Sequence, residues 1–192
     1  MIRAVDPELV HQAVQGDRTA MATLLTDLRP GLVRYCRARL GRIGGAYTTA
    51  DDVAQEVCLA VLRALPRYRD QGSPFAAFVY GIAAHKVADA QRAAIRDSAV
   101  TSTDAPLERP DAAPGPEQQA VATDLARRLS VLLKKLPEGQ REIVLLRVAV
   151  GLSADEVGTI VGMTAAAVRV AQSRALARLR TLAGNALDEV AA

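Results

Sequence analysis

The chain has 192 residues, half of them apolar and only 3% aromatic, and 24 lysines and arginines against 21 acids leave a net charge of +3. No apolar stretch approaches the ~20 residues a bilayer crossing needs, and the opening MIRAVDPELV lacks the apolar run of a secretion signal, so no direct membrane insertion and a cytoplasmic location are expected. Cys36 and Cys58 are too few and too isolated for a disulfide framework or a zinc site, and each is expected as a buried free thiol.

Alanine, leucine, valine and arginine dominate, and no run alternates convincingly between apolar and polar residues. The expected class is therefore all-α, with apolar residues sufficient for one medium core or two small ones. Asp6-Pro7 starts a helix to about residue 16. A second follows from Arg18 to Leu40, with Met21, Leu24, Leu25, Leu28, Leu32, Val33, Cys36 and Leu40 near helical spacing. After a glycine-rich break at 41–46, Thr49 and Asp52 form a capping box. The helix they open carries Val53, Val57, Ala60, Val61 and Ala64 on one face and is ended by Pro66.

Asp51, Asp52, Gln55 and Glu56 crowd the exposed start of that helix, and three readings compete. Carboxylates there are favoured by the helix dipole. They could also belong to a divalent-metal cluster, although no second motif completes one. The third reading is a docking patch for a protein partner, and periodicity does not choose among the three.

Ser73-Pro74 then starts a long helix, with Phe75, Phe78, Val79, Ile82 and Val87 at helical spacing. Four of the six aromatics in the chain, Tyr68, Phe75, Phe78 and Tyr80, fall within thirteen residues, beside Arg67, Arg69, His85, Lys86, Arg92 and Arg96. Rings that stack on unpaired bases, with cations along the phosphates, are what single-stranded nucleic acid requires. The competing reading buries Phe75 and Phe78 and leaves Tyr68 as the exposed ring.

Residues 98–116, SAVTSTDAPLERPDAAPGP, lose the periodicity and contain four prolines. They read as a flexible Pro-rich linker between two small helical domains, 1–97 and 117–192. Leu125, Leu129, Leu132, Leu133 and Leu136 mark a helix stopped by Pro137, and a further helix spans 138–150. In 152–182, Ser153 and Glu156 form a second capping box, and Gly162-Met163-Thr164 makes a tight turn. Thr164 caps a helix with Val168, Ala171 and Ala175 inward and Arg169, Gln172, Ser173, Arg174, Arg178 and Arg180 outward, and Gly158 permits a close helix crossing. This is a helix-turn-helix, whose second helix suits a DNA major groove. An ordinary helical hairpin with a solvated basic face is the alternative.

Two stretches resemble one family. DDVAQEVCLAVLRALPRYRDQGSPFAAFVYGIAAHKVADAQR resembles domain two of bacterial sigma factors, and LPEGQREIVLLRVAVGLSADEVGTIVGMTAAAVRVAQSRALARLR resembles their domain four. Two helical domains with no third between them resemble the extracytoplasmic-function (ECF) group of the sigma-70 family. The resemblance implies a protein that binds core RNA polymerase, recognises promoter DNA and helps open it, without being an enzyme and without a metal or cofactor. It implies polymerase docking through Asp51, Asp52, Gln55 and Glu56. Minus-ten contacts, including capture of a flipped base on the single-stranded non-template strand, are implied for Tyr68, Arg69, Asp70, Ser73, His85, Lys86, Asp89 and Arg92. In the minus-thirty-five element, Ala165, Ala166, Arg169, Gln172 and Ser173 would lie nearest bases, with Arg174 and Arg178 near phosphates. An anti-sigma factor that clamps both domains is also implied. The chain departs from the family in having Phe78 where many members have tryptophan, His85 where many have asparagine, and Val170-Ala171 in place of a serine-arginine pair. Two rival functions are an operator-binding regulator that acts without polymerase and an enzyme or metal protein built on Asp51, Asp52 and Glu56.

Overall fold

Local capping chemistry places most helix starts. The Asp6 carboxylate accepts the Glu8 N–H at 3.0 Å and Pro7 occupies the first turn, so α1 (Pro7–Val14) begins there. The structure, a computed structural model, describes residues 5–40, 49–70, 72–100 and 128–191, with side chains to 96 and to 184 in the last two segments. Among these residues every regular element is helical. The glycine-rich break at 41–46 and linker residues 101–116 lie outside them.

The second helix, α2 (Arg18–Leu40), is continuous through Pro30. Leu24, Leu28, Leu32, Tyr35, Cys36 and Leu40 recur on its inner face and are buried there. In α3 (Ala50–Ala64) the expected capping box is present: the Asp52 N–H donates to Thr49 Oγ1 at 3.2 Å and the Thr49 N–H donates to Asp52 Oδ2 at 2.9 Å. Pro66 sits within a 3₁₀ turn (Leu65–Arg67) that ends this helix. The long α4 (Phe75–Val100) starts one residue after Pro74 and continues to Val100, three residues past the boundary expected at residue 97. Val53, Val57 and Val61 of α3 pack with Val79, Ala83 and Val87 of α4 and the inner face of α2 in one core. There the buried Cys36 thiol is pushed up to about 12, chiefly by burial, and stays protonated at neutral pH.

In the second half, α5 is described over 128–134 and stops before Pro137. It is followed by α6 (Glu138–Val144), whose last turn widens into a π-helical segment, Leu145–Val150. Gly151 closes that segment with φ 92°, and both its N–H and that of Leu152 donate to the Leu146 carbonyl. The helix-turn-helix is α7 (Ala154–Val161) and α8 (Ala165–Ala191).

The two halves touch. Helix α2 packs on the π-helical segment and α4 packs on α7, so Ile143, Leu146, Val150, Leu152, Val157 and Val168 share a continuous apolar cluster with the amino-terminal helices. A smaller cluster of Leu133, Leu136, Val144, Leu145 and Ala175 holds α5, α6 and α8 together.

Candidate nucleic-acid interface

The turn between α7 and α8 is held at every point. The Glu156 N–H donates to Ser153 Oγ at 3.1 Å and the Ser153 N–H donates to Glu156 Oε2 at 2.7 Å, completing the second capping box. Gly162 takes the left-handed conformation, φ 69°, that ends α7, and the Met163 N–H donates to the Gly158 carbonyl at 2.9 Å. A Cβ on Gly158 would lie 2.5 Å from the Met163 carbonyl oxygen, so the close approach expected there is made against the turn backbone. Thr164 Oγ1 accepts the Ala167 N–H at 3.2 Å and caps α8.

Val168 and Ala175 are fully buried, which fixes the rotation of α8 about its axis. Ala166, Arg169, Ser173, Arg174 and Arg178 therefore face outward, and Ala165 is half-buried. Gln172 turns the other way. Its Oε1 accepts Arg147 Nε at 3.0 Å, and Arg147 also donates to the Leu152 carbonyl. Arg147 was not among the sequence candidates, although a cation inside the apolar run LLRVAV was the available signal. Arg169 lies 4.0 Å from Asp155 at the start of α7, a pair of exposed groups that water weakens.

The second surface surrounds the connection from α3 to α4. Tyr68, Phe75 and Phe78 form a three-ring cluster with centroids 5.0 to 5.7 Å apart. All three rings are half-buried against the core, and burial raises the Tyr68 phenol above its ordinary range. Tyr80, the fourth aromatic, is buried and meets Tyr35 edge-on at 5.5 Å, away from this surface. Arg69 donates to the carbonyls of Pro66 and Tyr68, and Asp70 accepts the Gly72 N–H at 2.9 Å. Ser73 is exposed beside them.

Further along α4, His85, Lys86, Asp89 and Arg92 line the solvent side. His85 Nδ1 contacts the Gly81 carbonyl at 2.9 Å. Asp89 accepts from Arg92 at 2.5 Å, and that hydrogen bond holds its carboxyl below the usual range. Lys86 Nζ lies 3.5 Å from Glu56 Oε2, which links this face to the start of α3.

Of the four residues at that start, Asp52, Gln55 and Glu56 are exposed and Asp51 is half-buried. Asp51 pairs with Arg37 at 2.7 Å, Asp52 completes its own capping box, and Glu56 faces Lys86. The carboxylates thus point to separate partners, and no group of three potential metal ligands occurs among the described residues. No described helix is long and apolar enough to cross a membrane.

Comparison with known proteins places both surfaces within recognised modules. Residues 24–96 match the model of Sigma-70 region 2, and residues 126–179 match that of Sigma-70, region 4. The ECF RNA polymerase sigma factor SigD of Mycobacterium tuberculosis is 58% identical over 172 residues, covering 90% of this chain and 81% of that protein. The ECF RNA polymerase sigma factor ShbA of Streptomyces griseus is 56% identical over 179 residues, covering 91% of this chain and 93% of that one. Among solved structures, CnrH in complex with the cytosolic domain of CnrY superposes with a TM-score of 0.68 at 26% identity, covering 93% of this chain and 96% of CnrH.

Proposed function

The chain belongs to the ECF group of RNA polymerase sigma factors, and from that premise we propose that it binds core polymerase in the cytoplasm, recognises two promoter elements and promotes melting between them. It acts as an initiation subunit rather than a catalyst. The observation that carries the reading is the presence of two exposed surfaces of different character. One is a rigid helix-turn-helix face bearing Arg169, Ser173, Arg174 and Arg178; the other is a ring-supported connection flanked by Arg69, Lys86 and Arg92.

The first suits intact duplex, with base edges met by the opening turns of α8 and phosphates by its later arginines. Ala165 and Ala166 give the backbone close access to the groove and offer apolar contact to thymine methyls. The second suits a displaced strand. Unstacking a base costs a few kcal/mol, so a pocket bounded by Tyr68, Arg69, Asp70 and Ser73 that accepts it retains the opened strand, while His85, Lys86, Asp89 and Arg92 follow the neighbouring backbone and bases. Asp51, Asp52, Gln55 and Glu56 form the docking face for polymerase.

An anti-sigma factor is the proposed protein partner, a reading supported by the likeness to CnrH, which was solved with the cytosolic domain of CnrY. The decisive assay is run-off transcription by core polymerase with and without the full chain. Promoter-dependent transcripts that appear only with the chain are expected, and no gain at any promoter overturns the proposal.

A further inference from the structure

One end of the Gln172 side chain on α8 is already engaged within the protein. Its Oε1 accepts the Arg147 Nε–H at 3.0 Å, a contact made across 25 residues of chain. Arg147, half-buried on the π-helical segment, also donates through Nη1 to the Leu152 carbonyl, just before the Ser153 cap of α7. Leu152 is buried, and its carbonyl would lack a protein donor without that contact. A planar guanidinium held at two of its nitrogens has little freedom to turn. The π-helical segment, the entry to α7 and the third turn of α8 are thus tied through one side chain.

The chemistry of the pair fixes which end of the amide faces where. Arginine offers N–H donors and no acceptor, so only the carbonyl oxygen of Gln172 can meet it. The amide nitrogen is then the free end. Gln172 Nε2 reaches solvent and has no hydrogen-bond partner among the described residues. Burial of Val168 and Ala175 prevents α8 from rotating to change this, and the flanking Arg169 and Ser173 are both exposed. The two N–H groups therefore belong to the same outward face as the side chains assigned to base edges.

An unconstrained glutamine reads adenine, because its oxygen accepts from N6 while its nitrogen donates to N7. With the oxygen committed to Arg147, half of that pairing is lost. Releasing it for adenine would leave the half-buried Arg147 Nε–H without its acceptor, so the bond gained is offset by the bond broken. What remains is a group with donors only, as in lysine. Its match among the bases is guanine, whose O6 and N7 present two acceptors side by side. The amino groups of adenine and cytosine would set N–H against N–H, which counts against both.

We propose that Arg147 is a positioning residue for base selection: by holding the Gln172 oxygen it makes Gln172 a reader of guanine rather than adenine. Arg147 acts through Gln172 and not on the base. The inference rests on the duplex-reading role proposed for α8 and adds the base met at its third turn.

The test is selection of bound sequences from a randomised duplex library, using the full chain alone and the full chain with core polymerase. Wild type should select guanine at one position whose preference disappears in Gln172→Leu, which identifies the position. Arg147→Met frees the oxygen and should move that position from guanine toward adenine by about tenfold, leaving the other selected positions as they are. Thermal melts establish that each variant is folded. Gln172→Glu, which keeps a partner for Arg147 and removes both N–H groups, serves if Arg147→Met is not, and should abolish the guanine preference. In a Gln172→Leu background, Arg147→Met should alter no base preference, whereas a residue that only braced the fold would have the same effect in both backgrounds. Adenine selected by the wild type, or an equal loss on every sequence for Arg147→Met, overturns the proposal. The expected shift in a chain that supports no transcription upholds the roles of Arg147 and Gln172 and overturns the promoter reading. Enrichment of no sequence by either sample overturns both.

Discussion

The turn of the helix-turn-helix and the seam between the halves are built on opposite terms. At the turn, the Ser153–Glu156 capping box, the left-handed Gly162 and the Thr164 cap meet the free donors and acceptors, and Val168 and Ala175 lock the helix that carries the outward arginines. At the seam, charged and hydroxyl groups are buried with part of their hydrogen-bonding capacity unmet. A surface that must keep its shape on a rigid duplex benefits from complete satisfaction, because any slack moves the reading side chains. Buried groups whose hydrogen-bonding capacity is only partly met make the seam a weaker contact than its apolar area alone would give.

The contrast can be broken most sharply at Gly158. Alanine there gains about 1 kcal/mol of helix propensity, but its Cβ meets the Met163 carbonyl oxygen at 2.5 Å. The turn must shift, at a net cost of about 2–3 kcal/mol and with loss of specific duplex binding, which thermal melts and gel-shift titration would measure. Next in size is Arg169→Ala, expected to relax preference at one or two base positions by about 1–3 kcal/mol in a randomised-site selection. Its counterpart Arg178→Ala should weaken all duplexes alike and reduce the salt slope of binding by about 1. Equal losses on every sequence for both substitutions would refute that division. Ser153→Ala, which removes one cap from a turn with many, should cost about 1 kcal/mol in a urea titration and leave base preference unchanged.

Helices and their starts were legible in the sequence because they depend on residues three or four positions apart. Thr49 with Asp52, Ser153 with Glu156 and Thr164 before α8 all carry the expected cap bonds. The widening of Leu145–Val150 was not legible, since Leu, Val and Ala in that run suit an ordinary helix equally well. Nor was the seam: Tyr35 and Glu142 are 107 residues apart, and nothing near either one announces the other. The outward set on α8 was read correctly for its arginines and Ser173. Periodicity could not tell that Gln172, at the edge of the polar face, would turn inward to Arg147. The aromatics of the candidate site were sorted only by packing, which keeps Tyr68 with Phe75 and Phe78 and takes Tyr80 into the core.

The three-ring cluster has a consequence for the connection it supports. With Tyr68 at one end and Phe75 and Phe78 at the other pressed together, the intervening backbone is anchored like a short bridge on two piers. Much of the disorder that a free loop would surrender on closing around any ligand is already gone when the chain folds. In the strand capture proposed above, loosening those piers would slow the step while leaving the proposed contact groups in place.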